Sequence, residues 1–385
     1  MSIYLNNAAT TWPKPHETAS AIYEFITERG ANLARGAASR RDLESLDEVF
    51  SCRQKLADLL GGWAKRSAKY ATLTSGVTES LNIIIKGYLK DGMRVVTSSM
   101  EHNAVMRPLR SAEAGGVHVD VVQCSMKGYL DPMAFARALD KGADLAIVSH
   151  CSNVCGALQD LGAIAEVCRA KRVPLVVDSA QTAGVVDLDA EALGLAALCF
   201  TGHKGLFGPQ GTGGVLWDPE FAEKCSSFIE GGTGSVSQDE HQPQMMPDKF
   251  EAGTPNLPGI AGLLASLEWL GKTGLKNIRE KEQRLGDQLE DGMRKINGLR
   301  ILGPARGDPR LPVYGVNIDG KDNGVLARDL VDRYGIETRP GLHCAPAAHK
   351  TLGSFPAGAL RLSPGYFNTE EEIDAAVEAL TELAK

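Results

Sequence analysis

The sequence predicts an α/β fold built on a mainly parallel sheet, and three observations carry that prediction. Between residues 70 and 205, short apolar runs alternate with helical periodicities, the pattern of β and α units that cover a parallel sheet on both faces. Polar or small clusters follow those runs directly, at Glu101-His102-Asn103, at 150–153, at Asp178 and at Lys204, where an open α/β sheet binds its ligands. At 385 residues the chain exceeds one small core and suits two domains or one large α/β unit.

Composition narrows the classes. Apolar residues make up 43% and charged residues 23%, ordinary for a soluble globular protein. A net charge of −7 and a pI near 5.7 leave no electrostatic footprint for nucleic acid or an anionic membrane surface. The chain opens into strand-like Ile3-Tyr4-Leu5 without a charged n-region and apolar h-region, and no run reaches transmembrane length, so a cytoplasmic protein is expected. Eight cysteines, at 52, 124, 151, 155, 168, 199, 225 and 344, are scattered without a repeated spacing, which argues against a disulfide framework. Cys151 and Cys155 beside His150 have no second Cys/His cluster at zinc-site spacing, so no metal is expected.

Taken in order, Asn6-Asn7-Ala8-Ala9-Thr10-Thr11 is small and polar after a short strand and precedes Pro13 and Pro15, so it reads as a loop into a helix around 17–27. A second loop at 31–36 holds Arg35. Leu46, Val49, Phe50, Leu56, Leu59 and Leu60 then mark an amphipathic helix over 43–60, ended by Gly61-Gly62. Strands are predicted at 94–97, 117–122, 145–149, 174–178 and 197–201, with helices near 79–89, 103–114, 132–140 and 159–171. Thr74-Ser75-Gly76-Val77-Thr78-Glu79 sets hydroxyls and a glycine before a helix, an arrangement that serves an anion site or a plain N-cap. Residues 231–256 are glycine-rich, then polar, and include Pro255, so they form a long loop. Beyond them come helices at 258–271 and 275–296, strands near 299–302 and 313–318, a helix at 323–333, a strand at Glu337, and a last helix capped at Thr369.

Two of these strands deliver chemistry. Val173 to Gln181 is a short apolar run with Asp178 at its carboxyl end, and about 25 residues later Thr201-Gly202-His203-Lys204-Gly205 ends the next strand. A lysine at a strand end, crowded by small residues, is placed to carry a carbonyl compound as a Schiff base; taken alone it also reads as a surface lysine beside a turn. A carboxylate beside it pairs with the ring nitrogen of pyridoxal 5'-phosphate (PLP), so strand, Asp, strand, Lys is a PLP pattern.

With Tyr4-Leu5-Asn6-Asn7-Ala8-Ala9-Thr10, Glu101-His102-Asn103, Asp178-Ser179-Ala180-Gln181, Gly202-His203-Lys204, Glu251-Ala252-Gly253-Thr254-Pro255-Asn256, Arg339-Pro340-Gly341-Leu342-His343-Cys344-Ala345 and Arg361-Leu362-Ser363, the sequence resembles the class V aminotransferase family of PLP enzymes. Within it the chain is most similar to the cysteine desulfurase and selenocysteine lyase branch, in its short-loop form. The resemblance implies a PLP-dependent transferase of fold type I, with a large PLP-binding domain at 15–256 and a smaller α/β domain from 1–14 and 257–385. It implies that Lys204 holds PLP, Asp178 pairs with the ring nitrogen, Gln181 meets the phenolic oxygen and His102 stacks on the ring. Val77, Thr78, Thr201 and His203 would form the phosphate cup, and Thr254 would reach the phosphate in the partner of a homodimer. Arg361 with Asn153 would clamp the substrate carboxylate, with Ala9 near the substrate.

Cys344 would then be the nucleophile that removes sulfur, with neighbouring His343 a candidate for favouring its thiolate. The implied activity is a cysteine desulfurase, which converts L-cysteine to L-alanine and leaves a persulfide for a sulfur-acceptor protein. Selenocysteine lyase, a class V transaminase acting on a small amino acid, and a PLP-binding sulfur-relay protein are the alternatives. Pro340 and Leu342 stand where the best-known members of this branch usually carry polar residues, which leaves open both the preference between L-cysteine and L-selenocysteine and the identity of the sulfur acceptor.

Overall fold

The computed structural model describes residues 2–33 and 39–385, so Arg35 lies outside the described residues. The chain opens with strand β1 (Ile3–Tyr4) and the helices His16–Glu24 and Arg40–Leu60. Seven strands follow: β2 (Ala71–Thr74), β3 (Arg94–Ser98), β4 (His118–Val122), β5 (Leu145–Ser149), β6 (Leu175–Asp178), β7 (Ala197–Thr201) and β8 (Gly213–Trp217). They form one sheet in the order β2-β8-β7-β6-β5-β3-β4. The run β4-β3-β5-β6-β7 is parallel throughout, as expected, whereas β8 runs antiparallel to both β7 and β2.

That antiparallel edge is absent from the sequence expectation, because glycines lower strand propensity and read as a loop. Here the missing side chains let backbones close up. A Cβ on Gly214 would stand 2.2 Å from the Thr72 carbonyl oxygen and 2.6 Å from the Phe200 ring, and one on Gly213 would stand 2.5 Å from Gly76 Cα.

Successive residues of the parallel strands point to opposite faces and build two cores. Val96, Ala146, Val148 and Leu198 pack on one side with the helices Arg40–Leu60 and Leu161–Lys171, through Leu56, Ile164 and Cys168. Val95, Leu145, Ile147 and Ala197 pack on the other with Val77–Tyr88 and Asn103–Ala114, through Leu81, Ile84, Val105 and Leu109.

A smaller unit holds β9 (Leu299–Ile301), β10 (Tyr314–Ile318), β11 (Ile336–Glu337), β12 (Arg339–Gly341) and β13 (Ala359–Leu362). Four of them form an antiparallel sheet, β12-β13-β10-β9, while β11 pairs in parallel with β1 and so draws the N-terminus into this unit. A third core joins Leu5, Tyr314, Val316 and Leu360 to the helices Leu275–Met293, Asn323–Tyr334 and Glu370–Leu383. The last helix starts at a capping box between Thr369 and Glu372.

The expected boundary after residue 256 does not coincide with an edge of the larger core. The helix Leu257–Thr273 buries Ile260, Leu263, Leu267 and Leu270 in that core, and a Cβ on its Gly262 would stand 2.7 Å from Ile22 of the first helix. The chain enters the smaller core in the following helix, through Leu285 and Leu289. Among the described residues no helix is long and apolar enough to cross a membrane.

Candidate active site

The candidate residues gather at the carboxyl ends of the parallel strands. Asp178 closes β6, and Lys204 follows β7, the strand paired with β6. Asp178 is buried, and its carboxylate accepts a hydrogen bond from Ala180 N at 2.9 Å. Burial raises its carboxyl, against the pull of that N–H and of the Lys204 ammonium. Burial pushes the Lys204 amine down to about 8; Asp178 opposes the shift, and Arg361 and Arg339 reinforce it. Beside this pair lies Glu101, fully buried, which accepts from Ser98 Oγ at 2.5 Å and from Ser149 Oγ and N at 2.6 and 2.9 Å. Burial pushes Glu101 up to about 7. Ser149 pairs in register with Asp178 across β5 and β6, so the two carboxyls share one seryl neighbour.

His102 caps the helix Asn103–Ala114, with Nδ1 accepting from Ala104 N at 3.0 Å. Acceptance at Nδ1 leaves the ring proton on Nε2, and burial, helped by Lys204, pushes the ring down to about 4, so His102 is neutral near pH 7. Gln181 reaches the N-terminal turn, donating from Nε2 to the Ala8 carbonyl at 3.0 Å, one residue from Ala9.

The candidate anion cradle falls at the start of the helix Val77–Tyr88. Gly76 provides no side-chain cap, and the first intrahelical bond runs from Ser80 N to Gly76 O at 3.2 Å, so the N–H groups of Val77, Thr78 and Glu79 have no partner within the helix. A Cβ on Gly76 would stand 3.6 Å from Thr201 Oγ1, which brings that hydroxyl to the same helix end. His203, next in this group, carries a buried Nδ1 without a hydrogen-bond partner, and burial pushes its ring down to about 4. Open N–H groups, a hydroxyl and an orphaned neutral imidazole suit a phosphate, and the Asp178–Lys204 pair suits an aldehyde on a basic ring.

Arg361, on β13 and 1% exposed, donates from one terminal nitrogen to Asn153 O and from the other to Asn6 Oδ1, both at 2.9 Å. Its Nε is buried without a partner, and burial pushes the guanidinium down to about 9. A buried cation held by neutral oxygens, with a donor to spare, suits a carboxylate ligand. Asn153 also donates to the His343 carbonyl at 2.8 Å, which joins the clamp to the cysteine loop.

Cys344 is the only exposed cysteine of the eight. Burial pushes the thiols of Cys52, Cys168 and Cys225 up to about 12 and Cys124 to about 11, which leaves those four unreactive near neutrality. His343 and Cys344 both adopt left-handed backbone, at φ 50° and 56°, a conformation that costs residues other than glycine. Three bonds hold it: Asn103 N to Cys344 O at 2.7 Å, Ala345 N to Leu342 O at 2.8 Å, and the Asn153 contact.

The expected help from His343 is not what the geometry provides. Its ring turns inward, donating from Nε2 to Arg339 O at 2.9 Å and accepting at Nδ1 from His349 Nε2 at 3.2 Å. His349 in turn accepts at Nδ1 from Ser354 Oγ at 2.7 Å. Burial pushes His343 down to about 3, so it is neutral and occupied. The cation facing Cys344 Sγ is Arg339, whose terminal nitrogen lies 3.8 Å away. The sequence expectation gives Arg339 no task, although a cation five positions before the cysteine in the same short loop is a signal for one. Glu101 likewise has no expected task, since spacing does not reveal a buried carboxyl.

Thr254 lies exposed in the long loop and lines a cavity of about 970 Å³ with Ser75, Glu79 and Gly213, on the side of the sheet edge from which the cradle helix starts.

The aminotransferase class-V family model matches residues 3–376. A probable cysteine desulfurase of Methanothermobacter thermautotrophicus is 32% identical, over 99% of this chain and 94% of that protein. One of Pyrococcus abyssi is 30% identical, over 100% and 94%. Among solved structures, the apo cysteine desulfurase of Thermococcus onnurineus superposes with a TM-score of 0.92 at 28% identity, covering 100% of this chain and 94% of that one. The Escherichia coli cysteine desulfurase CsdA superposes at 0.87 and 28%, covering 99% and 94%.

Proposed function

The chain belongs to the aminotransferase class-V family, and on that premise we propose that it is a PLP-dependent cysteine desulfurase, which takes L-cysteine to L-alanine and leaves the sulfur as a persulfide on Cys344. The observation that carries the reading is Cys344 itself: exposed, and tied through its carbonyl to the first N–H of the helix that His102 caps. A transaminase has no use for a reactive cysteine at that point.

PLP, when bound, supplies an aldehyde for covalent attachment and a ring that draws in the electron pair left at the substrate Cα. Lys204 is its attachment point and the base for the Cα proton; an amine held down at about 8 is partly unprotonated near neutrality. Asp178 keeps a proton at the ring nitrogen. His102 would cover the ring face, and Gln181, whose Nε2 donates to Ala8 O, would offer its second amide N–H to the phenolic oxygen. Val77, Thr78, Thr201 and His203 take the phosphate. Arg361, assisted by Asn153, orients the substrate carboxylate, with Ala9 at the mouth.

Cys344 then attacks as thiolate. A bond forms between Cys344 Sγ and the substrate sulfur, the substrate Cβ–S bond breaks with its electron pair left on carbon, and protonation of that carbon, with return of the proton from Lys204 to Cα, yields alanine. Exposure of Cys344 supports onward delivery of the sulfur to a reductant or an acceptor protein. A homodimer is the expected unit, with Thr254 reaching the partner's site; exposed Tyr23, Ile26 and Phe50 support a covered face there, and sedimentation of the loaded protein reads that unit directly. Eight free thiols support a reducing compartment, and we assign the cytoplasm.

The test measures alanine and sulfide released from L-cysteine plus a thiol reductant by the PLP-loaded protein, beside Cys344→Ala. Equal amounts of both products, lost in the variant, are expected. Unchanged turnover in the variant, or pyruvate in place of alanine, would overturn the desulfurase reading.

A further inference from the structure

Lys14 stands between Pro13 and Pro15, just after the N-terminal turn, and no part of the reaction above uses it. Among the described residues no ion pair involves it. Its Nζ instead donates to His203 O and to Thr11 Oγ1, both at 2.7 Å. Thr11 Oγ1 in turn donates to Lys204 O at 3.1 Å. His203 O also accepts from Thr11 N at 3.1 Å and from Thr10 Oγ1 at 3.0 Å. One amine therefore anchors the carbonyls on both sides of the Lys204 Cα, one directly and one through a hydroxyl.

We propose that Lys14 is a positioning residue for the reaction: it locks the two peptide groups that flank Lys204 and so sets the direction in which the Lys204 side chain leaves the backbone. Fixing both peptide planes fixes φ and ψ at Lys204, and the Cα–Cβ vector follows from them. The flanking prolines have φ fixed by their rings, which limits drift of the Lys14 backbone. Burial pushes the amine down to about 7, yet ammonium and amine alike have enough N–H groups for both bonds, so the hold persists when Lys14 titrates. A small misdirection of Lys204 matters because a proton transfer loses rate steeply with misplaced reacting atoms.

The inference rests on Lys204 being the PLP lysine. Its test compares wild type, Lys14→Met, Lys14→Arg and Thr11→Val in two assays. The first follows, by visible absorbance, the rate at which cofactor-free protein captures PLP covalently, with Lys204→Ala as the blank. The second measures kcat and KM for L-cysteine. Lys14→Met is expected to slow both capture and kcat roughly tenfold with KM unchanged, Lys14→Arg to recover most of each, and Thr11→Val to lose less than Lys14→Met. Capture and kcat at the wild-type rate in Lys14→Met would overturn the proposal. So would a loss confined to thermal stability, or a Lys14→Arg no better than Lys14→Met. Capture needs no amino-acid substrate, so it decides the role of Lys14 even where wild type releases no alanine, an outcome that sinks the desulfurase reading alone.

Discussion

Arg339 and His343 exchange the roles that adjacency in sequence would give them. His343 follows the chain inward and spends both ring nitrogens on Arg339 O and His349, whereas the Arg339 guanidinium turns toward Cys344 Sγ. A guanidinium N–H at that distance is placed to donate to the sulfur. Arg339→Gln is therefore expected to slow alkylation of Cys344 by iodoacetamide at neutral pH several-fold, and more than His343→Gln does. Equal rates in the two variants would remove Arg339 from that role.

At the scale of elements, the sheet edge and the candidate anion cradle are one construction. β8 lies between β7 and β2, and its glycines admit Thr72, Phe200 and Gly76 at distances no side chain allows. Gly76 opens the cradle helix, so a displaced β8 moves the cradle as well. Gly214→Ala must push against backbone at Thr72 and is expected to cost about 2 kcal/mol or more in urea unfolding, with weaker PLP binding. A variant as stable as wild type would mean that β8 shifts freely. The cysteine loop is also held by its neighbours, since Asn103 at a helix start and Asn153 in the turn after β5 fix a backbone that its own sequence disfavours.

Over the whole molecule, the N-terminal segment joins the two sheets. Asn6 reaches Arg361, Asn7 and Ala8 bond to Ser363, and Thr10 to Lys14 grip the Lys204 turn. Burial also shapes the pH response of the fold. His102, His150, His203 and His349 are pushed down to about 4 and stay neutral in the folded chain, while an unfolded histidine takes up its proton near pH 6.5. The unfolded chain thus binds more protons in that window, and these groups lose stability as pH falls from about 6.5 to about 4. Glu101 and Glu282, pushed up to about 7, act in the opposite sense, since the folded chain keeps their protons where the unfolded one releases them. The His150 ring bonds Thr182, and only its backbone N–H meets a site residue, donating to the Asp178 carbonyl at 3.0 Å. His150→Gln is expected to flatten the acid limb by on the order of 2–3 kcal/mol, read from urea unfolding at successive pH values. A wild-type slope in the variant would contradict this.

The sequence by itself determined the parallel strands and the order in which they deliver Glu101-His102, Asp178 and Lys204, because apolar periodicity and strand-end polarity are local properties. It determined the family as well, since the matching motifs run nearly the length of the chain. Tertiary structure alone decided the rest. The antiparallel edge depends on backbones meeting across 140 residues, as Thr72 meets Gly214, and glycine hides that from propensity. The helix Leu257–Thr273 joins the larger core because of what it packs on, which its own pattern does not state. Which cation faces Cys344, and which lysine holds the turn of another, follow from side-chain directions set by packing between distant segments.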